Sequence, residues 1–303
     1  MSVPASDEGR HAPGDDPLWS ESWYFDFTTP DGALGGWVRL GLYPNLGVAW
    51  YHAFLVGGRR PTVAVVDHAV PLPPSTLEIR APGLWADHVR ETALDHWTVA
   101  NETHAVALDD PADLYGRALG TPTPFAIDLE WETDGEPYPY PGVSRYEIPC
   151  VVHGEIFIAD ETIAFVGHGQ RDHSWGVRDW WQFGWCWTSG RLADGTRFHG
   201  SDIRIPNVDL GFGYVQPPGG GVLVATSVDA EEALGDHGFP SSGTIAIGDL
   251  VLDVEPLAFA PVLLTAPDGR VSRFPRALCR FTAGDGRTGH GWTEWNQPQQ
   301  GPR

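Results

Sequence analysis

Cysteine is scarce in this sequence, with Cys150, Cys186 and Cys279 the only three in 303 residues. They are far apart and odd in number, which excludes a disulfide framework and a CxxC zinc pattern. Reduced, mostly buried thiols in a cytoplasmic protein are the simple expectation. Positive charge is also short: 19 Lys and Arg stand against 40 Asp and Glu, for a formal net charge of −21. Phosphate contacts need clustered cations, so no nucleic-acid partner is expected, and an anionic membrane surface repels such a chain. No apolar run approaches the roughly 18 residues of a membrane span. The start, "MSVPASDEGRHAPGDDPLW", lacks the basic segment and apolar stretch of a secretory leader. No GxGxxG opens a helix after a strand, and HExxH and GxSxG are missing. "PPGGGV" at 217–222 has no P-loop Lys-Ser/Thr and reads as a surface turn. His153, His168, His173 and His199 follow no ligand spacing, so neither a metal nor a cofactor is expected.

What the sequence does hold is turn chemistry and aromatics. Its 37 Gly and 27 Pro are scattered throughout and argue for short elements rather than long helices. From Trp19 onward, alternating runs such as "FAIDLEWET" and "EIPCVVHGEIFI" read as strands. "LWADHVRETALDHWTVANETHAVALDD" tolerates a helix by composition, but its alternation from Trp97 onward favours two strands. "PDG", "PNLG", "ADGT" and "PDGR" supply turns, the Asp-Gly pairs being strong hairpin signals. Many short, evenly spaced strands predict an all-β sandwich or barrel. Residues 1–18 read as a disordered polar tail. A Gly-rich turn at Gly167–Gly169 suggests a boundary, dividing the rest into domains at 19–168 and 169–303. The 14 Trp, 8 Tyr and 13 Phe suit a large core or an apolar pocket.

Functional side chains are densest in "GHGQRDHSWGVRDWW", Gly167 to Trp181. In a strand, Asp172 shares a face with Ser174, and Arg171 shares the other with His173 and Trp175. Arg178 and Asp179 repeat the Arg-Asp pair, so two guanidinium–carboxylate pairs can brace the segment. In a structural reading this is a fully paired junction. In a catalytic reading His173 or a carboxylate faces a cavity with a shifted pKa. Tryptophans at 175, 180, 181, 185 and 187 then wall it, and their rings attract cationic carbon centres.

"GQRDHSWGVRDW", with "RYE…GEI" before it and "DGTRFHG" and "GHGWTEWNQP" after it, resembles the CrtC/AttH-like superfamily. That group includes carotenoid 1,2-hydratases and lipocalin-like Diels–Alderases. The resemblance runs from about Trp19 to Pro298, and its specific part is Asp172, His173, Trp175 and Gly176. It implies two lipocalin-like, calycin-type antiparallel β-barrel domains packed together, with the motif near their junction. It also implies a hydrophobic small-molecule ligand and acid catalysis at a C=C bond: hydration, dehydration or cyclisation without a cofactor. The residues implied are His173, Trp175 and Asp202; joined to the reading of the residues themselves, the candidates are Asp172, His173 and Asp202 for proton transfer, with Trp175, Trp180, Trp187 and His199 around the substrate. The Tyr that accompanies the downstream Asp in the hydratases has no counterpart two residues before Asp202, where this chain has Gly200; His199 stands beside it. A non-catalytic lipid or terpenoid carrier and a pericyclase that works by folding its substrate are the alternatives. The oligomeric state is left open.

Overall fold

A computed structural model describes residues 2–57 and 59–299. Met1 and residues 300–303, the outer ends of the expected tail and second domain, lie outside the described residues, as does Gly58. Two large antiparallel sheets make up nearly all of the fold. The first holds β1 (Trp19–Thr28), β2 (Leu34–Tyr43), β3 (Val48–Gly57), β4 (Thr62–Pro71), β5 (Ile79–Ala81) and β6 (Leu84–Thr92). It continues with β7 (His96–Leu108), β8 (Thr121–Thr133), β9 (Tyr138–Pro139), β10 (Arg145–Ile158) and β11 (Glu161–Val177). Its order β4-β3-β2-β1-β11-β10-β8-β7 closes on itself because β4 also pairs with β7, giving a barrel.

The second region holds β12 (Gly184–Leu192), β13 (Arg197–Arg204), β14 (Gly211–Gln216), β15 (Leu223–Val224), β16 (Val228–Leu234) and β17 (Pro240–Ile247). Then come β18 (Leu250–Phe259), β19 (Val262–Thr265), β20 (Val271–Phe274), β21 (Arg276–Ala283) and β22 (Thr288–Gln299). Its order is β15-β14-β13-β12-β22-β21-β18-β17-β16, with β20 added beside β22. This sheet curls so that β16 and β17 approach β13 and β14. The all-β, two-barrel lipocalin-like expectation matches this architecture. The Asp-Gly turns fall between β12 and β13 and between β19 and β20, with Gly195 and Gly269 at positive φ of 89° and 85°.

The first barrel meets the second sheet through its own outer wall. Every residue of β1 is buried, because both faces are covered. Trp23, Phe25 and Phe27 point into the barrel, while Tyr24 joins a second cluster with Trp187, Leu278 and Trp292 of the other sheet. The Trp292 indole donates to Phe27 O across this junction, at 3.0 Å. All three cysteines are free and buried, and burial pushes the Cys150 and Cys279 thiols up to about 12.

Two boundaries differ from the sequence expectation. β11 continues through residues 168 and 169 to Val177, so the chain leaves the first sheet nine residues later than the expected boundary at 168. Gly169 is a strand residue, needed for close approach: a Cβ there stands 1.9 Å from Asp26 O. The expected disordered tail is instead packed on the first barrel. Ala5–Glu8 forms a 3-10 turn and Glu8 is only 2% exposed. Its carboxylate accepts from the Arg171 guanidinium at 2.7 Å, the Trp97 indole at 2.7 Å and the Tyr146 hydroxyl. A buried Arg171 needs an anion, and the N-terminal segment supplies it.

Candidate functional site

The alternation of β11 sorts the motif onto two faces. Arg171, His173 and Trp175 point to the first barrel and its N-terminal segment. His173 is 1% exposed; its Nε2 lies 2.9 Å from Glu21 Oε1, and its ring stacks on Trp23 at 4.5 Å. Trp175 stacks on His11 at 3.9 Å. This half of the motif therefore fastens the N-terminal segment to the barrel, and neither His173 nor Trp175 lines a cavity. Both were expected at the substrate; strand parity sends them to the other face.

Asp172 and Ser174 face outward, into a cavity of about 370 Å³ between the barrels. Its floor comes from the first barrel, including Tyr24, Trp37 and Arg39. Its walls come from the segment after β11, with Arg178 and Trp180, and from the second sheet, with Trp185, Trp187, Phe274, Arg276 and Glu294. Trp180 and Trp187, two of the expected substrate-side tryptophans, line this cavity. The Arg-Asp pairs are not formed within the motif. Asp172 accepts from Arg145 Nη2 at 2.9 Å, and Asp179 pairs with Arg270 at 3.0 Å. Arg178, expected to pair with a carboxylate, has no partner for its buried Nε and Nη2.

Asp172 is 7% exposed. Burial raises its carboxyl to about 6, against the opposing pull of Arg145. Arg145 is itself divided between Asp172 and the fully buried Glu147, at 2.8 Å. Glu147 also accepts from the Gln170 amide and the Trp187 indole, both at 3.1 Å. That network fixes the wall behind Asp172.

His199 lies behind the cavity rather than on it. Its Nδ1 donates to Thr188 O at 2.8 Å, and burial holds the imidazole neutral by pushing its pKa well below the usual range. Nε2 is then the acceptor for the Tyr140 hydroxyl, at 2.7 Å, and it is Tyr140 that lines the cavity. Asp202 is outside the cavity. Its neighbours Ser201 and Ile203 line it, while Asp202 pairs across from Cys186 on the opposite face and accepts from Arg204 at 3.3 Å. Of the two expected aspartates, Asp172 lines the cavity and Asp202 does not.

A family model described as "Domain of unknown function (DUF7064)" matches residues 4–299. The chain belongs to the DUF7064 family. No functionally curated protein matches it in sequence. Among solved structures it is similar to an AttH-like protein from Nitrosomonas europaea, at 17% identity over 97% of both chains with a TM-score of 0.66. It is similar to kievitone hydratase from Nectria haematococca, at 10% identity over 93% of this chain and 90% of that one, TM-score 0.59. It is also similar to CghA solved with Sch210972, at 12% identity over 96% and 94% of the two chains, TM-score 0.56. These likenesses are of fold.

The DUF7064 chain offers a metal two sets of donors whose atoms lie within 4.8 Å of one another: His11, Glu21 and His173, and His96, Glu130 and Glu132. In the first set both rings already hydrogen-bond Glu21, at 2.7 and 2.9 Å. No helix among the described residues is long and apolar enough to cross a membrane. Sequence reasoning missed Arg39, Arg145, Tyr140, Arg276 and Glu294. Tyr140 and Arg145 lie in "YPYPGVSRYE" and Glu294 in "GHGWTEWNQP", stretches close to or inside the quoted resemblance, so their signal was present without a spatial reason to select them.

Proposed function

We propose that this DUF7064 protein is an enzyme that binds a hydrophobic small molecule between its barrels and uses Asp172 as a general acid at a C=C bond. The observation that carries this reading is a carboxyl held near pKa 6 in an aromatic-walled cavity. The Asp172 O–H bond breaks as a C–H bond forms, leaving a carbocation. Tyr24, Trp37, Trp180 and Trp187 line the space around it, and the Asp172 carboxylate becomes its counter-ion. Water then adds to the cation and its proton returns to Asp172, completing a hydration; loss of a neighbouring proton to Asp172 gives isomerisation instead, and attack of a second C=C bond of the substrate on the cation before that loss gives cyclisation. Each route regenerates the acid and needs no cofactor. The printed name of one structural neighbour, kievitone hydratase, is consistent with hydration in this fold.

The test starts from extraction of the purified protein and mass spectrometry of any copurifying hydrophobic molecule, followed by turnover assays on it and on kievitone. Asp172→Asn is expected to keep ligand affinity and lower kcat by about 10²–10⁴-fold. Unchanged turnover in that variant removes the acid and leaves the pericyclase, in which the cavity only folds the substrate. Tight binding without turnover in the native protein leaves the carrier.

A further inference from the structure

All 19 of the chain's Lys and Arg residues are arginines, and four of them, Arg39, Arg145, Arg178 and Arg276, line this one cavity. Two are matched. Arg145 serves Asp172 and Glu147, and Arg276 pairs with Glu294 while lying over Tyr24 at 4.3 Å and Trp37 at 4.6 Å. Two are not. Arg39 meets only the Tyr43 hydroxyl, at 3.4 Å, and the face of Trp180, at 5.2 Å. Arg178 has Nε and Nη2 shielded from solvent and without any partner. Its adjacent carboxylate, Asp179, is taken by Arg270 on two bonds of 3.0 Å. Desolvation, with Arg145 and Arg39 nearby, pulls the Arg178 guanidinium down to about 10.

The orphaned polar atoms around the cavity share one character. They are Trp37 Nε1, Trp180 Nε1, Arg276 Nη1, the two Arg178 nitrogens and His52 Nδ1. All but the histidine nitrogen are obligate donors, and no oxygen of the cavity wall is left unpartnered among them. Elsewhere an arginine with orphan nitrogens, Arg171, at least has Glu8 on a direct bond; Arg178 has no bonded anion, and Asp172 acts on it only through space. An unpaired buried cation costs several kcal/mol, and it persists in a chain carrying 40 carboxylates. A ligand anion is the group that completes this wall.

We propose that the ligand is an amphipathic organic acid: an apolar body against the tryptophans and a carboxylate, or an equivalent planar oxyanion, held at the Arg178 and Arg39 side chains of the cavity wall. This rests on the reading of the cavity as the binding site for a hydrophobic molecule, and it narrows the substrate class to acids. Recognition by Arg178 fixes one end of the molecule, so that the bond to be protonated is presented to Asp172, which lines the same cavity.

The test uses two fluorescent probes that differ only at the head group, 1-pyrenebutyric acid and 1-pyrenebutanol, with energy transfer from the cavity tryptophans as readout at pH 7. The native protein is expected to bind the acid at least about tenfold more tightly than the alcohol. Arg178→Met is expected to abolish most of that preference while leaving the alcohol affinity within about threefold, which also shows that the variant is folded. Equal affinities in the native protein, or a preference that survives in the variant, overturn the acid assignment and leave the hydrophobic cavity intact. Failure of both probes to bind overturns the cavity as a hydrophobic binding site and the acid assignment together.

Discussion

At the scale of single residues, four aspartates, Asp26, Asp87, Asp172 and Asp202, have carboxyls raised by burial, and geometry separates the last two and Asp26. Asp202 points away from the cavity and is held by Arg204. Asp26, raised to about 7, is enclosed at the junction and accepts from Gln170 N at 2.7 Å, the Tyr24 hydroxyl at 3.1 Å and the Ser189 hydroxyl at 3.2 Å. Only Asp172 faces the ligand space, and its value near 6 sets the pH profile. In the proposed mechanism the protonated form is the active one, so kcat/KM is expected to be level below pH 6 and to fall about tenfold per unit above it; a profile that rises from pH 6 to 8 would contradict the acid role. Asp26 governs stability instead. Its folded pKa lies above the unfolded value of about 3.9, so the stability it contributes is full below pH 4 and is lost as pH rises towards 7. Asp26→Asn is therefore expected to gain on the native protein over that window, reaching an advantage of about 2–4 kcal/mol by pH 8. Urea unfolding at pH 4.5 and pH 8 measures it, and an advantage that shrinks with rising pH would refute the assignment.

At the scale of elements, the strand parity of β11 was legible in the sequence and proved to be the organising fact of the site. Alternation placed Asp172 with Ser174 and Arg171 with His173 and Trp175, and the Asp-Gly turns at Gly195 and Gly269 marked two hairpins. Parity does not say which face meets a cavity, and it was the less conspicuous face that did. On β13 the same rule put Asp202 one residue out of step with Ser201 and Ile203, which line the cavity, so it faces the other side of the strand. Long-range pairing was also invisible: Glu8 and Arg171 are 163 residues apart, and nothing local in a polar N-terminal segment announces a buried partner. Arg178 was assigned a carboxylate because one stood next to it in sequence, but neighbours in a chain seldom face one another. The Glu8 contact is open to measurement. Glu8→Ala leaves Arg171, 2% exposed, without its anion, and is expected to cost about 3–5 kcal/mol. A loss below about 1 kcal/mol in chemical denaturation would mean that the segment is not held by this pair.

At the scale of the whole molecule, the two sheets share a core rather than merely touching. Interfaces between domains of one chain are commonly polar and allow relative motion. Here one buried cluster draws Tyr24, Trp37 and Phe54 from the first barrel and Trp187, Leu278 and Trp292 from the second sheet. Gly35 permits the approach: a Cβ on it meets the Leu278 side chain at 3.2 Å. The cavity occupies a gap in that shared core, so its walls hold their spacing only while both barrels are folded and docked. Cooperative unfolding of the entire chain follows, with no folded state of one barrel alone. Trp292 tests this directly, since it is fully buried and its indole bonds the opposite barrel at Phe27 O. Trp292→Ala is expected to lower stability by about 3–5 kcal/mol while calorimetry still records one transition, because loss of docking removes the core of both partners. Two resolved transitions in the variant, one near the native Tm, would show instead that the barrels are autonomous and that the cavity opens by their separation.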